Sequence, residues 1–566
     1  MISDLPVYTL SNNCQDCYKC IRECPVKAIR MEQNRAGIIA ELCVSCGHCT
    51  AVCPAGAKKY RNDTGIVQNW LDEGSDVVLS LAPSYVVLHG GKKGEIVRRI
   101  KASGFTRVSE TALGAEIVNR KTEEWLEKRR PNLAISSACP AVVNLIHQYY
   151  PELSEYIVPV ASPMLVHARM LRQLVGKQAK IVFAGPCIAK KYEADNSEGL
   201  IDAAITFDEL QDILDEAPSH DAMANLDSWF PFPAADCRIY PMEGGMIRGL
   251  NSVPKEYHTM AFSGMENCKA ILSDLRENSP DTPLFLELMA CQGGCLMGPG
   301  VTTKGSVAIR QLRIPNDLVN GKHDKPWPIA IPAIFPPAKM ARRASFTCVH
   351  SEDEMRSALE SVGKHSAADE LNCSGCGYDS CRELAIAMLD GKAERTQCVS
   401  YMRRVANDKA TVLIEKIPFG VVMVDDQLRI VDANKQFAEL IGGDLPMMFE
   451  ATNSLYGADL KKIIPFYKLF SAVLDSGEEK VEHDLRVDDK FFRVSVITIR
   501  KYKLVTGMIE NLRDERTRHQ VAVDRLQDVI SKNMKVVQEI AYLLGENAAY
   551  TESMLHSVID SHEDKD

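Results

Sequence analysis

The chain has 566 residues, 46% apolar and 25% charged, with a formal net charge of −10. That length exceeds what one hydrophobic core serves and points to about four domains, while the apolar share excludes a disordered chain. No uncharged apolar run reaches the roughly 18 residues of a membrane span, and the acidic balance, without Lys/Arg blocks, argues against nucleic acid as the main partner. The opening MISDLPVYTL lacks the basic start and apolar stretch of a secretory signal, so a cytoplasmic location is expected. Nineteen cysteines in such a chain point to metal ligation rather than disulfides. They are clustered, eight between Cys14 and Cys53, six from Cys139 to Cys295, Cys348 alone, four between Cys373 and Cys398, and none beyond. A metal-rich front joined to a metal-free back suggests that one reports on the other.

The first segment reads C-x2-C-x2-C-x3-C-P twice, through Cys14, Cys17, Cys20, Cys24 and Pro25, then Cys43, Cys46, Cys49, Cys53 and Pro54. This run holds two 4Fe–4S cubanes, with the fourth cysteine of each run crossing to the other cluster. Cys14, Cys17, Cys20 and Cys53 are thus expected at one cubane, and Cys43, Cys46, Cys49 and Cys24 at the other. C-x2-C pairs also serve structural zinc. The segment resembles the bacterial two-cluster ferredoxins, which implies an electron recipient elsewhere in the chain.

From about Asp76 the texture is α/β. Strand-like runs Val77 to Leu81, Ile181 to Ala184 and Leu284 to Leu288 alternate with helical stretches such as Gly94 to Lys101. Cys139, Cys187, Cys291 and Cys295 sit at the ends of such runs, among Gly, Pro and small residues, and can converge on one further cubane. Four unrelated buried thiols are the alternative.

The segments Ser136-Ser137-Ala138-Cys139-Pro140, Gly185-Pro186-Cys187 with Lys190 and Glu193, and Glu287-Leu288-Met289-Ala290-Cys291 with Cys295 and Gly298 carry a resemblance. Over about residues 66–345 the chain resembles the catalytic domain of the iron-only (FeFe) hydrogenases, with Ala82-Pro83-Ser84 and Ser162-Pro163 at loops that line the cofactor in that family. The resemblance implies that Cys139, Cys187, Cys291 and Cys295 hold the cubane of an H-cluster, with Cys295 bridging to a diiron subsite carrying CO and cyanide. It places Lys190 as ammonium donor to cyanide, Ser84 as hydroxyl donor, Glu193 as the residue that orients Lys190, and Met289 beside the subsite.

The chain also departs from the family. The proton-relay thiol is Ala138, the paired acids of the same route fall near Lys121 and Thr122 beside Glu123 and Glu124, and the outer serine is Val158. The methionine before Pro186 is Gly185, and the terminal G-G-G-Q-P is Gly298-Pro299-Gly300-Val301-Thr302. Losing a positioned relay costs about 10²–10⁴ in rate. Retained cubane cysteines and Lys190 with a lost relay resemble the sensory branch of the family, which implies low turnover. Cys237, Cys268 and Cys348 are expected to be ordinary thiols.

Cys373, Cys376, Cys381 and Cys398 read C-x2-C-x4-C-x16-C, with a helix from about Arg382 to Leu389 returning Cys398 to the fourth corner. The spacing resembles the small 4Fe–4S domain of corrinoid iron–sulfur proteins and of membrane-associated ferredoxin subunits, although four thiolates also suit zinc. Strands Gly420 to Val424 and Arg429 to Asp432, a helix after Asn434, and strands Val481 to Arg486, Phe491 to Ile499 and Leu504 to Glu510 resemble a PAS domain. His483, in a charged run, reads as solvated rather than as a haem ligand. Val523, Leu526, Ile530, Asn533, Val537, Ile540 and Leu544 form a helical seam that suits a coiled coil or packing on the PAS sheet, ending near Gly545, with a short helix expected from Asn547 to Ile559.

The expected architecture is therefore multidomain α/β and α+β: a two-cluster ferredoxin-like domain at 1–62, an α/β H-cluster domain at 63–348, a small 4Fe–4S domain at 349–408, a PAS domain at 409–512 and a helical signalling tail at 513–566. Expected partners are H2, a redox partner such as ferredoxin, H-cluster maturation proteins and a phosphatase or kinase in trans, with homodimerisation through the PAS domain or tail. A catalytic ferredoxin-dependent hydrogenase, and an electron carrier without the diiron subsite, are the alternatives.

Overall fold

The computed structural model describes residues 5–32, 35–89, 93–216, 228–302, 305–314, 350–452, 454–488 and 490–512. It divides into two units after Met402. Cys348 and the expected C-terminal helices, with Asn533 and Gly545, lie outside the described residues.

The first unit begins with an internally repeated segment. Strands β1 (Val7–Thr9), β2 (Ile29–Glu32), β3 (Arg35–Ile38) and β4 (Lys58–Tyr60) form two antiparallel pairs, β1 with β4 and β2 with β3. Each cysteine run wraps into a short helix, Lys19–Arg22 or His48–Val52. The residue before each helix, Tyr18 or Gly47, is left-handed, with φ 55° and 76°. That turn folds each run back on itself, around a small core of Ile21, Ile29, Met31 and Leu42.

Two parallel sheets follow. β5 (Val77–Leu81), β6 (Arg107–Glu110), β8 (Lys180–Gly185) and β9 (Ala203–Thr206) are ordered β6-β5-β8-β9, and β7 (Leu133–Ile135), β10 (His258–Ser263) and β11 (Leu284–Met289) are ordered β10-β11-β7. β5 is buried along its whole length, which is why its sequence is nearly continuous in apolar residues rather than alternating. Its one polar residue is satisfied inside the core. Ser80 Oγ lies 2.8 Å from Thr111 Oγ1 and 2.7 Å from His167 Nδ1, and His167 Nε2 lies 2.9 Å from Ser109 Oγ. The helix that carries His167 (Pro163–Val175) presses on helix Ala112–Arg129 at Gly114, where a Cβ would come within 2.2 Å of the Pro163 carbonyl.

The stretch after β4, residues 61–63, is fastened to the sheets by buried charge. Lys191 is 1% exposed and donates to Asp63 at 2.7 Å, to Glu209 at 3.0 Å and to the Ala204 carbonyl at 2.7 Å. Arg61 adds Asp63 at 2.8 Å and Asp195 at 2.8 Å. At the far end of the unit, helices Glu352–Ser361 and Cys381–Leu389 pack together. Ser380 caps the second, accepting from the Glu383 amide at 3.1 Å, so Cys381 stands at the first helical position.

The second unit is a five-stranded antiparallel sheet, ordered β13-β12-β16-β15-β14. Its strands are β12 (Gly420–Asp425), β13 (Ile430–Ala433), β14 (Lys480–Val487), β15 (Lys490–Arg500) and β16 (Leu504–Asn511). Buried Asn434 ties its opening together. Its side chain accepts from the amides of Phe437 at 2.9 Å and Val421 at 2.8 Å and donates to the Phe419 carbonyl at 2.9 Å. One residue thus caps helix Lys435–Ile441 and pins it to β12. Helices Leu445–Thr452 and Lys468–Ser476 were not expected. The latter seats Phe470 against Gly507, where a Cβ would meet the ring at 2.2 Å. His483 is exposed on the charged edge strand β14, as a solvated residue there should be.

Two outcomes follow from these contacts. Asn434→Ala should destabilise the second unit by about 1–3 kcal/mol, because it orphans buried backbone groups as well as a cap, read as a lowered unfolding midpoint. Burial holds the His167 imidazole down to about 3, so it is neutral when folded. The unfolded chain binds its proton near pH 6.5, so this contribution is complete above that pH. It is lost by up to about 1.4 kcal/mol per pH unit as pH falls toward 3. His167→Gln should flatten that acid limb in a stability–pH series.

Candidate functional site

The carboxyl ends of both parallel sheets meet at one cavity, as ligand sites in open α/β folds do. Its walls include Ser84 after β5, Ala138 and Cys139 after β7, Cys187 after β8, and Met289 and Cys295 after β11. Cys139 precedes helix Pro140–Tyr149, with Pro140 at its first position, and Cys187 precedes helix Ala189–Asp195. Both thiols therefore sit at positive helix ends, which favour an anion.

Cys291 lines a second cavity, which Cys46 also lines. Cys139 lies close enough to Cys187, Cys291 and Cys295 to raise each of them. Burial, then Cys139, pushes Cys187 up to about 11, with Lys190 and the amides of Lys190 and Ala189 pulling back. Cys295 is pushed up by burial and by Cys139 and Cys187, and Cys291 by burial and by Cys187, Cys295, Cys139 and Cys46.

Lys190 reaches this cavity with its ammonium fixed, donating to Glu193 at 2.7 Å and to Ser162 at 2.8 Å. Ser84 is 1% exposed and Met289 is 7% exposed, both against the same space. The neighbouring Lys191, one helix step round, points instead to the ion network at Asp63.

The departures from the family pattern are equally placed. Ala138 presents only a methyl to the cavity. Glu123 lies outside, accepting from the Ser252 amide at 3.2 Å, and Glu124 pairs with Lys121 at 2.7 Å on the same helix surface. Thr122 and Val158 are fully buried. At Gly185 a Cβ would come within 2.6 Å of the Phe183 ring, so Phe183, a cavity residue, takes the room a larger side chain there would need.

Glu287 and Thr111 are among the cavity residues whose polar groups the motifs leave unassigned. Glu287 accepts from the amides of Met246 at 3.2 Å and Ile247 at 3.1 Å, and burial pushes its carboxyl up to about 7. Thr111 belongs to the Ser80–His167 network. Only the leading Glu of the E-x-M-A-C segment could have signalled the first, and nothing local the second.

The eight N-terminal cysteines form two neighbouring groups. Burial raises Cys20 to about 11, with Cys14, Cys53 and Cys17 as its thiol neighbours. Cys46 is raised well above its usual range by burial and by Cys24, Cys43 and Cys49. Cys53 is thus a neighbour of the first run, and Cys24 of the second. Sulfurs accept backbone amides, Ala28 to Cys24 at 3.3 Å, Ser45 to Cys43 at 3.4 Å and Ala57 to Cys53 at 3.3 Å.

In the third group Cys376 has Cys398 and Cys373 as neighbours, and the Cys381 amide donates to Asn372 at 2.8 Å. Its loop docks on the ferredoxin-like segment. At Gly377 (φ +94°) a Cβ would meet Ile21 at 3.0 Å, and Arg22 reaches the Gly375 carbonyl at 3.5 Å. Cys237 and Cys268 belong to none of these sets; both are buried in apolar cores. Among the described residues, no group of three or more His, Cys, Asp or Glu is close enough to hold a single metal ion. A cubane asks for something different: thiolates spread around a four-iron core and bonded by amides. The donor sets fit that requirement, and Lys190 and Ser84 fit anionic and polar ligands beside it.

Comparisons with known proteins agree with this division. Residues 75–299 match the family model for the C-terminal domain of the iron only hydrogenase large subunit; 13–57 match the 4Fe-4S dicluster domain, 369–400 the FeS cluster model and 410–477 the PAS domain. The chain is 26% identical over 260 residues to iron hydrogenase 1 of Clostridium pasteurianum, covering 37% of this chain and 45% of that protein. It is 24% identical over 347 residues to the NADP-reducing hydrogenase subunit HndD of Solidesulfovibrio fructosivorans, covering 49% and 58%. It thus spans about half the length of these relatives. A solved variant of [FeFe]-hydrogenase HydA1 from Chlamydomonas reinhardtii superposes with a TM-score of 0.36 at 17% identity, covering 46% of this chain and 90% of that one. No helix among the described residues is long and apolar enough to cross a membrane. In order along the chain, then, a 4Fe–4S dicluster match is followed by a match to the C-terminal domain of the iron only hydrogenase large subunit, a further iron–sulfur match and a PAS match.

Proposed function

We propose that this protein is a cytoplasmic hydrogen or redox sensor that reacts with hydrogen slowly and reports through its PAS domain. The observation that carries the reading is the pairing, in one cavity, of cysteines and a fixed Lys190 with a methyl at Ala138. When bound at Cys139, Cys187, Cys291 and Cys295, an H-cluster would supply the hydrogen chemistry. Lys190, held by Glu193 and Ser162, would donate to an anionic ligand of that group, while Ser84 would add a hydroxyl donor and Met289 would keep the pocket apolar. Ala138 has no proton to give or take, and neither Glu123 nor Glu124 faces the cavity to replace it.

Three further cubanes would carry electrons away: at Cys14, Cys17, Cys20 and Cys53; at Cys43, Cys46, Cys49 and Cys24; and at Cys373, Cys376, Cys381 and Cys398. Cys46 and Cys291 on one cavity support a first transfer from the hydrogenase domain into the ferredoxin-like segment. The contact of Gly377 with Ile21 and Arg22 supports a second into the small module. The domain limits 1–62, 63–348, 349–408, 409–512 and 513–566 define this relay. Its partners would be H2, a ferredoxin-like donor or acceptor, maturation proteins that load the diiron subsite, and a phosphatase or kinase in trans, with a homodimer formed through the PAS domain or tail.

A catalytic hydrogenase is the second reading, favoured by the names of the two relatives above. Infrared spectra of the matured protein should show CO and cyanide bands; their absence would leave an electron carrier without a diiron subsite. Ala138→Cys should raise hydrogen output by about 10²-fold or more, by restoring a positioned acid. Wild-type output already equal to that of a bulk-turnover hydrogenase would overturn the sensor reading.

A further inference from the structure

The internal repeat of the ferredoxin-like segment is broken at one buried position. After each fourth cysteine the chain reads Cys24-Pro25-Val26-Lys27-Ala28-Ile29 and Cys53-Pro54-Ala55-Gly56-Ala57-Lys58. The two copies fold alike: the amide four residues on, Ala28 or Ala57, donates to its cysteine sulfur at 3.3 Å. The next residue is 2% exposed in both. In the first copy it is Ile29, a core residue. In the second it is a lysine.

A buried ammonium needs an anion, because its desolvation is otherwise uncompensated. Lys191 meets that need with Asp63 and Glu209. Lys58 does not: its ammonium donates to Thr9 Oγ1 at 2.7 Å and to the Ala36 carbonyl at 2.7 Å, both neutral. Among the described residues no carboxylate pairs with it. β1 and β3 thus hold the ammonium in place from two sides, with Thr9 itself donating to Ala36 at 2.8 Å. The anionic partners left to it are thiolates: Ala36, whose carbonyl it holds, lies in the core that contains Cys20 and packs against Cys49, and the amide of the preceding Ala57 bonds the Cys53 sulfur at 3.3 Å. Cys20 and Cys53 belong to one expected cluster and Cys49 to the other.

We propose that Lys58 is the shared counter-ion of the two N-terminal clusters and raises the reduction potential of both. Each electron entering a cluster adds one unit of negative charge, and a fixed buried ammonium stabilises the reduced form more than the oxidised one. Electrons arriving from the hydrogenase domain would therefore rest here rather than return. This deepens the relay reading above and rests on clusters being bound at Cys14 to Cys53.

The test uses the full chain with clusters loaded, as wild type, Lys58→Gln and Lys58→Arg, with iron and sulfide assayed and cluster midpoints followed by EPR during reductive titration. In Lys58→Gln the N-terminal clusters should titrate at more negative potential, or be lost, while Lys58→Arg stays with wild type and the Cys373–Cys398 signal stays in place. Unshifted midpoints in fully loaded Lys58→Gln would overturn the proposal. So would equal changes in the Gln and Arg forms, which would make shape, not charge, the cause. Wild-type protein without iron at Cys14 to Cys53 would overturn the cluster reading itself, and this proposal with it.

Discussion

A thiol buried beside other thiols resists ionisation, and this constraint organises the first unit. Burial raises Cys20, Cys46, Cys187, Cys291 and Cys295, and each is raised further by its neighbours. Such groups become thiolates only against positive charge. The fold prepares for that with amides aimed at sulfur, helix N-termini behind Cys139 and Cys187, and two fixed ammonium groups, Lys190 and Lys58. Iron supplies the remainder in the reading proposed here. Without it, four converging thiols and a carboxylate-free buried lysine would be costs with no return.

The same constraint explains how the modules join. The ferredoxin-like segment, the two parallel sheets and the small module are fastened at points where cysteine groups approach one another: Cys46 near Cys291, and Gly377 against Ile21 and Arg22. The Arg61–Asp63–Lys191–Glu209 network locks the first of these junctions. The PAS unit stands as a fold of its own around Phe437, Phe470 and Val494.

Much of this was legible in the sequence because ligand spacing is a local property. The C-x2-C-x2-C-x3-C-P runs, the buried run Val77 to Leu81 and the Asn434 cap each announce themselves within a few residues. What was not legible depends on distant partners. The Ser80–Thr111–His167–Ser109 network joins three separate stretches, and Phe183 fills the space beside Gly185 only once β8 has been laid against β5. Helix Lys468–Ser476 went unread because its apolar residues make sense only against the groove at Gly507. Lys58 was visible as a letter, but its oddity appears only when the two halves of the repeat are compared in space. Ala138 was readable as a loss only through resemblance; the structure adds that its methyl faces the cavity.

On the proposed sensor reading, hydrogen leaves its electrons in the protein's own clusters rather than passing them rapidly onward. The most direct measurement is EPR of the matured full-length protein held under hydrogen with no added acceptor. A slow sensor should show signals of reduced iron–sulfur clusters that develop slowly and persist. Clusters that stay oxidised under hydrogen would contradict it.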